Sequence, residues 1–317
     1  MLDFANKHPE TLVLSADLGT SCEVKKFRAE KPDQYLTMGI AEQNMCSWAA
    51  GLAREGYRPF LHTFSVFLSR RILDQVEMSV AYPNLPVTFV GFVPGITTPG
   101  GVTHQSINDV GIMRTVPNMA IFDVGDATDI EGVLDLVYEW NGPAYIRMLR
   151  KEVPRLFPAN EPMVFNRART ITEGDDVLIL SSSICTEEAM RATAALEDKG
   201  VSVQHMHVST LKPFTDPTIV EALKKCKYGV VTMENHYNIG GLGSAVADLM
   251  AENGIGKKLF KIGLNGYAHG ASKMYLMTKY GIDAMNLVKS VEELIGKDLG
   301  IKEDDLDNQR FVDFLEV

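Results

Sequence analysis

Short, mostly apolar β-rich runs alternate with helical patterns along this chain. Strands that are apolar on both faces suit a parallel sheet covered by helices on both sides. In the first half, the runs that predict strands are 11–14, 60–64, 86–93, 119–124 and 144–149. Two helical stripes lie between them, formed by Met45, Trp48, Ala49 and Leu52 and by Ile72, Val76, Ser79 and Val80. The alternation predicts an α/β fold with a doubly wound, largely parallel sheet.

The pattern lapses around residues 152–166, where Pro154, Pro158 and Pro162 interrupt the periodicity. A second α/β series follows, with strands predicted at 177–180, 201–208 and 228–234 and helices at 187–199, 217–225 and 244–253. We therefore predict two doubly wound domains, 1–153 and 173–317, joined by a linker over 154–172. From Asp304 onward we expect an acidic, peripheral tail.

The charge balance limits the possible partners. The 317 residues include 31 Lys and Arg against 41 Asp and Glu, a formal net charge of −10. An acidic surface repels phosphate polymers, so we expect neither nucleic acid nor an anionic membrane as a general partner. A phosphorylated ligand would have to be held by a few local cations.

The four cysteines, Cys22, Cys46, Cys185 and Cys226, are widely scattered and form no CxxC pair. This spacing is typical of buried thiols in a reducing compartment and predicts a cytoplasmic protein. No apolar run approaches the roughly 20 residues of a membrane span. His205 and His207 alternate on one predicted strand without a third ligand nearby in sequence, so we predict no metal site from them.

Several polar and aromatic residues are placed where strands end. Glu42 begins the first striped helix, where the helix dipole alone favours a carboxylate, but where a carboxylate can also bind a ligand nitrogen. Phe64 and Phe67 close a strand, either as core residues or as a surface on which a flat cofactor stacks. His104 lies in a Gly-, Pro- and Thr-rich loop after the next strand, where an imidazole can shuttle protons.

Two further residues could hold an anion. Arg150 follows the last strand of the first domain, and Ser21 follows the first strand. A guanidinium can bind a phosphate through two N–H groups, and a hydroxyl can add a third hydrogen bond. Surface arginines are commonly solvated, so this pattern alone does not distinguish a site.

Six short motifs together resemble the carboxyl-terminal half of transketolase, over nearly the whole chain. They occur in the family's order and at its spacing: Ser15-Ala16-Asp17-Leu18, Gly39-Ile40-Ala41-Glu42, Thr63-Phe64 with Phe67, Gly101-Val102-Thr103-His104-Gln105, Met113-Arg114 with Pro117-Asn118-Met119, and Leu211-Lys212-Pro213-Phe214. The resemblance implies a pyrimidine-binding domain followed by a transketolase C-terminal domain. 1-Deoxyxylulose 5-phosphate synthase and the β-subunits of 2-oxo acid dehydrogenases share these two domains.

The resemblance implies a thiamine-diphosphate-dependent enzyme that transfers a two-carbon ketol unit between sugar phosphates. Glu42 would bind the ring nitrogen of the aminopyrimidine and promote its imino tautomer. Phe67 would stack on that ring, with Phe64 beside it and Asp17 near the thiazolium. In the family, residues at the position of His104 act on substrate oxygens, and those at Ser21 and Arg150 contact the sugar phosphate.

The chain lacks the Gly-Asp-Gly motif through which transketolases hold the diphosphate and Mg²⁺. The resemblance therefore implies the small or B subunit of a split transketolase, starting at Met1. A second subunit would supply the diphosphate and Mg²⁺ ligands, and we expect a dimer of heterodimers. No metal ligand is assigned to this chain.

Two positions depart from the family pattern. Gly100 replaces an Asp that reads a substrate hydroxyl, and Phe92 aligns with a further His. We interpret these losses as a roomier pocket for an unusual, branched substrate such as apulose 4-phosphate. Three alternatives remain open: a 2-oxo acid dehydrogenase β-subunit, half of a 1-deoxyxylulose-5-phosphate synthase, and a non-catalytic scaffold subunit.

Overall fold

A computed structural model describes residues 1–307 of the chain. Strands and helices are numbered in chain order. The strands are β1 (Thr11–Ser15), β2 (Tyr35–Thr37), β3 (Arg58–Phe64), β4 (Thr88–Phe92), β5 (Ala120–Asp123), β6 (Ala144–Met148), β7 (Arg169–Thr172), β8 (Val177–Ser181), β9 (Val203–His207), β10 (Thr210–Lys212), β11 (Gly229–Tyr237) and β12 (Lys258–Leu264).

The helices of the first half are α1 (Leu2–Lys7), α2 (Lys25–Glu30), α3 (Glu42–Arg54), α4 (Ser65–Ser69), α5 (Leu73–Gln75), α6 (Asp109–Thr115) and α7 (Ala127–Trp140). A 3₁₀ turn (Pro32–Gln34) precedes β2, and a π-helical segment (Val76–Ala81) continues α5. The helices of the second half are α8 (Cys185–Asp198), α9 (Pro217–Lys225), α10 (Leu242–Glu252), α11 (Lys273–Tyr280), α12 (Ala284–Ile295) and α13 (Glu303–Asp307). No helix in the part of the chain described by the structure is long and apolar enough to cross a membrane.

The strands form two largely parallel sheets, which confirms the predicted α/β fold class. The first sheet has the order β2-β1-β3-β4-β6-β5-β10, and only β10 runs antiparallel to its neighbour. The second has the order β7-β9-β8-β11-β12, with β7 antiparallel. Strands β1, β4, β6 and β8 are buried along their whole length. Such burial explains their almost uniformly apolar sequences, since both faces of each sheet are covered.

Three features differ from the sequence predictions. Trp48, placed on the apolar stripe of α3, is 56% exposed, because α3 turns Met45 and Ala49 toward the sheet. Strand β7 lies inside the predicted linker 154–172 and pairs with β9 at the edge of the second sheet. The predicted peripheral tail begins with α13, whose Leu306 is buried. The rest of that tail, residues 308–317, lies outside the described residues.

The remainder of the predicted linker is bound to the first domain. Asp126 caps α7, and its other carboxylate oxygen accepts hydrogen bonds from the backbone N–H groups of Leu156 and Phe157, each at 2.9 Å. Phe157 and Met163 are buried. The prolines that interrupt the sequence pattern therefore lie in an extended segment anchored along the domain surface.

A buried arginine ties the two domains together. Arg147 on β6 is fully buried and donates to Asp109 at 2.8 Å, to Asp123 at 3.0 Å and to the backbone carbonyl of Asn235 in the second domain at 2.9 Å. Burial alone would lower the pKa of Arg147, but the carboxylates of Asp109 and Asp123 raise it overall. Strand β10 of the second half also completes the first sheet. These contacts fix how the second domain sits against the loops that follow β4 and β6.

Candidate active site

The predicted site residues follow strands of the first sheet at one edge. Parallel strands place all of their carboxyl ends at the same edge, which is where open α/β sheets bind ligands. In chain order, the residues are Asp17 and Ser21 after β1, Glu42 after β2, Phe64 and Phe67 at and after β3, His104 after β4, and Arg150 after β6. The topology therefore explains how residues far apart in sequence can serve one site.

Glu42 is the first residue of the 13-residue helix α3, and its side chain is only 2% exposed. Its two carboxylate oxygens each lie 2.8 Å from one guanidinium nitrogen of Arg71. The same guanidinium lies over the ring of Phe67, with its carbon 4.0 Å from the ring centroid. Arg71 was not predicted as a site residue, although it comes only four residues after Phe67.

The two phenylalanines and the loop histidine form an aromatic cluster. Phe64 and Phe67 stack with ring centroids 5.9 Å apart. The imidazole of His104 meets both rings edge-on, at 5.9 and 5.8 Å. Its Nδ1 lies 2.9 Å from the hydroxyl of Thr103, which leaves Nε2 for another partner. A buried carboxylate beside an aromatic face suits a flat heteroaromatic ligand that donates a hydrogen bond.

Gly100 and Phe92, from which extra room is expected, each lie next to a histidine. A Cβ atom at Gly100 would lie 2.9 Å from the Cβ of His104, so the missing side chain is replaced by the close approach of the histidine. Phe92 is buried, and its ring centroid lies 5.6 Å from that of His62. Both replacements remove polar groups, and the roomier pocket stays a prediction.

The loop is anchored by a residue of the second domain. Asn235 accepts a hydrogen bond from the backbone N–H of Ile96 at 3.0 Å and donates to the carbonyl of Pro94 at 3.1 Å. Gly95 between them has φ of +58°, and a Cβ there would collide with the Asn235 amide. The sequence analysis assigned no site role to Asn235, because the contact spans about half the chain.

The segments that carry Ser21 and Arg150 lie next to each other in the fold. The pKa of Cys22, next to Ser21, is raised to about 12 by burial, with the positive charge of Arg150 acting in the opposite direction. The backbone N–H of Lys151 donates to the carboxylate of Glu23 at 3.1 Å. Arg150 lines a cavity of about 280 Å³ between the domains. Ser21 and the exposed Asp17 line a separate hollow of about 170 Å³.

A buried histidine lies beside this region and was also missed from the sequence. His62 on β3 is 6% exposed, and a hydrogen bond with the backbone of Cys22 acts against the effect of burial on its pKa. Burial lowers the pKa of His62 to about 4, so the imidazole is neutral at physiological pH. The ring beside it is that of Phe92, the position at which the family pattern has a histidine.

The described residues form no cluster of potential metal ligands at the site. Within residues 1–307, no group of three or more His, Cys, Asp or Glu side chains is arranged to hold a metal ion. The four cysteines are unpaired and buried. The chemistry that the described residues offer is a buried carboxylate, an aromatic face, an imidazole and a guanidinium.

Comparisons with known proteins agree with this architecture. Residues 1–155 match the transketolase pyrimidine-binding domain, and residues 166–286 match the transketolase C-terminal domain. The 6-deoxy-6-sulfo-D-fructose transketolase subunit SqwH of Clostridium sp. (strain MSTE9) is 37% identical over 93% of this chain and 91% of its own length. The B subunit of the apulose-4-phosphate transketolase from Actinobacillus succinogenes is 31% identical over 86% of this chain and 88% of its own length.

A solved structure is also similar over nearly its full length. It is described as a split gene transketolase, an inactive beta4 tetramer. It shares 34% sequence identity with this chain, covers 93% of it and 95% of itself, and superposes with a TM-score of 0.86. This chain therefore belongs to the transketolase family, within which it corresponds to the split-enzyme subunit that carries the pyrimidine-binding and C-terminal domains.

Proposed function

We propose that this chain is the subunit of a thiamine-diphosphate-dependent transketolase that binds the aminopyrimidine of the coenzyme. The reaction would transfer a two-carbon ketol unit between sugar phosphates. The observation that carries the proposal is Glu42: a buried carboxylate at the first turn of α3, beside the ring of Phe67. A buried carboxylate is costly unless it has a partner, so a site that keeps one needs a hydrogen-bond donor at that place.

The residues present fit the coenzyme's pyrimidine ring. Glu42 would share a proton with a ring nitrogen through a hydrogen bond, Phe67 would cover one face, and Phe64 would back it. The guanidinium of Arg71 now makes those two contacts, so the place accepts a flat group that donates a hydrogen bond. When bound, thiamine diphosphate supplies the carbon nucleophile that cleaves the bond next to a ketose carbonyl.

The remaining predicted residues would act on the substrate. His104 has a free Nε2 and is held edge-on by two rings, so it can donate to or accept from a substrate oxygen at a fixed position. Arg150 forms no ion pair with another described residue, so its charge is available for a phosphate or sulfonate. We propose that Ser21 and Arg150 together bind this anion, with Asp17 near the thiazolium.

We propose an unusual ketose phosphate as substrate, with apulose 4-phosphate as the first candidate. The support is the chemistry of Gly100 and Phe92, which read no hydroxyl group. Two relatives also bear names that specify unusual sugars, apulose 4-phosphate and 6-deoxy-6-sulfo-D-fructose. A site with fewer polar contacts to the sugar carbons discriminates less between such ketoses.

A second subunit would complete the enzyme by supplying the diphosphate and Mg²⁺ ligands. Four large apolar side chains remain exposed on α3, just before it, and on or directly after the π-helical segment that packs against it: Ile40, Trp48, Met78 and Tyr82. Exposed apolar groups on these neighbouring elements support an interface there. We propose a dimer of heterodimers, located in the cytoplasm, where unpaired buried cysteines are ordinary.

The test is turnover of the chain reconstituted with a candidate partner subunit, thiamine diphosphate and Mg²⁺. Ketose donors to compare are apulose 4-phosphate, 6-deoxy-6-sulfofructose and xylulose 5-phosphate. Glu42→Gln should lower kcat at least about hundredfold, the usual cost of losing an essential proton-transfer group. Glu55→Gln, at the exposed end of the same helix, is the matched control.

Two of the three alternatives, and the substrate proposal itself, predict different results. Full activity of the Glu42→Gln complex would mean a non-catalytic scaffold subunit. Consumption of pyruvate in place of ketose, unaffected by Ser21→Ala and Arg150→Ala, would mean a 2-oxo acid dehydrogenase subunit. Preference for xylulose 5-phosphate with ribose 5-phosphate would reject the unusual substrate while leaving the transketolase assignment intact.

A further inference from the structure

We propose that Arg71 is a third member of the aminopyrimidine site, which occupies the place of the coenzyme ring and thereby sets the coenzyme affinity. This inference rests on the proposed function. Its basis is that one guanidinium contacts both residues expected to bind that ring. It donates to both oxygens of Glu42 at 2.8 Å and lies 4.0 Å from the centroid of Phe67.

The two contacts are those that an aminopyrimidine would make. A guanidinium is flat, so it can stack on an aromatic face while its N–H groups donate hydrogen bonds. An ammonium group also donates hydrogen bonds, but it is not flat. An aminopyrimidine ring is also flat and presents a nitrogen to the same carboxylate. Two flat groups cannot occupy one face of Phe67 and one carboxylate together. Coenzyme binding therefore requires the guanidinium to leave.

The side chain of Arg71 can leave without moving its backbone. The carbonyl of Arg71 accepts a hydrogen bond from the side chain of Gln43 at 3.2 Å, which holds the segment beside the start of α3. The side chain itself is 43% exposed, whereas that of Glu42 is 2% exposed. Among the described residues, Glu42 is the only carboxylate that pairs with Arg71. Rotation of the side chain into solvent thus opens the site.

Occupation by Arg71 has two physical consequences. It neutralises a buried carboxylate that would otherwise be left without a partner, which stabilises the lone chain before assembly. It also reduces the fraction of molecules with an open site, and the apparent dissociation constant of the coenzyme rises by the inverse of that fraction. Removing the guanidinium should therefore lower the apparent dissociation constant by the same factor.

The experiment measures thiamine binding to the full 317-residue chain by calorimetry. Thiamine lacks the diphosphate, so it reports on the pyrimidine site of this chain alone. We expect Arg71→Ala to bind thiamine at least about tenfold more tightly than the unaltered chain. Arg54→Ala, at the exposed end of α3, is the matched control and should bind like the unaltered chain. Circular dichroism confirms that each variant is folded.

A double variant tests whether the gain acts through the carboxylate. In Glu42→Leu/Arg71→Ala, the gain should disappear, because leucine offers the ring nitrogen neither a hydrogen-bond donor nor an acceptor. Equal or weaker thiamine binding by Arg71→Ala would overturn the proposal, since it would make Arg71 neutral or a direct ligand. A gain that persists in the double variant would overturn it as well.

If neither form of the lone chain binds thiamine, the same comparison is made with thiamine diphosphate and Mg²⁺ in the reconstituted pair. Tighter binding by the Arg71→Ala pair, by about tenfold, supports the proposal, and equal or weaker binding overturns it. Failure of the unaltered pair to bind thiamine diphosphate would overturn the proposed function itself. The two failures are therefore distinguishable.

Discussion

At the scale of single residues, His62 and His205 are neutral imidazoles held in the interior. Burial lowers the pKa of His62 to about 4 and that of His205 to about 3. His205 is hydrogen-bonded to Ser181 at 2.9 Å and to Thr193 at 3.2 Å, and His62 interacts with the backbone of Cys22. In the unfolded chain, both would titrate near the ordinary value of about 6.5.

This difference makes stability depend on pH. The unfolded state binds protons below about pH 6.5 that the folded state does not bind until about pH 4, so the free energy of unfolding falls as the pH is lowered through that window. His62 alone should cost about 2 kcal/mol between about pH 7.5 and pH 5. We expect His62→Leu to reduce this pH dependence by close to one proton in urea unfolding experiments. Identical slopes for the variant and the unaltered chain would contradict the interpretation.

At the scale of elements, the sequence predicts those with a strong local signal. Strands β1, β4 and β6 are mostly apolar runs, and α9 begins at Pro217 after an Asp that caps it, so local chemistry is sufficient. The three-residue strands β2 and β10 were missed, because too few residues carry a pattern and β10 is defined by its pairing with β5. Strand β7 was taken for linker for the same reason.

In the candidate site, too, residues with a local signal were predicted and residues defined by distant contacts were not. Glu42 was predicted because it begins a striped helix, and Phe67 and His104 because each follows a predicted strand. All three also match family motifs. Arg71 was missed, because its contact with Glu42 depends on the path of the chain between α4 and α5. Asn235 was missed because its partners are 139 and 141 residues away. Contacts between distant segments leave no periodic trace in a sequence.

The loop that carries His104 depends on one side chain of strand β11. Asn235→Ala would leave the N–H of Ile96 without its buried partner, at a cost of about 1–3 kcal/mol, while the carbonyl of Pro94 would keep its hydrogen bonds from Thr97. We expect faster amide exchange throughout 94–105 and a kcat/KM for the reconstituted enzyme lowered by about tenfold or more, since misplaced catalytic groups are costly. Asn253→Ala, at the end of α10, is the control. Unchanged exchange in the loop would show that Asn235 does not position it.

At the scale of the whole molecule, buried polar contacts hold the two domains in one arrangement. Besides Arg147, His207 of the second domain lies 2.8 Å from Asp129 of the first, and both side chains are buried. The nearby charge and hydrogen bond of His207 lower the pKa of Asp129, against the opposing effect of burial. A fixed arrangement matters here because Asn235, on the second domain, is hydrogen-bonded to the loop of the first domain that carries His104.

Among the buried polar residues between the domains, we expect substitution of Arg147 to lower the free energy of unfolding most. Arg147→Met keeps much of the side-chain volume but leaves Asp109 and Asp123 as buried carboxylates without their cation. Removing one partner of such a buried cluster costs about 3–5 kcal/mol, so the urea midpoint should fall sharply. Arg54→Met, exposed on α3, should leave the free energy of unfolding within about 0.5 kcal/mol of the original. Since Arg147 also donates to the Asn235 carbonyl, amide exchange should rise in 94–105 as well. A loss below about 1 kcal/mol would mean that the carboxylates find other partners and that Arg147 does not hold the domains together.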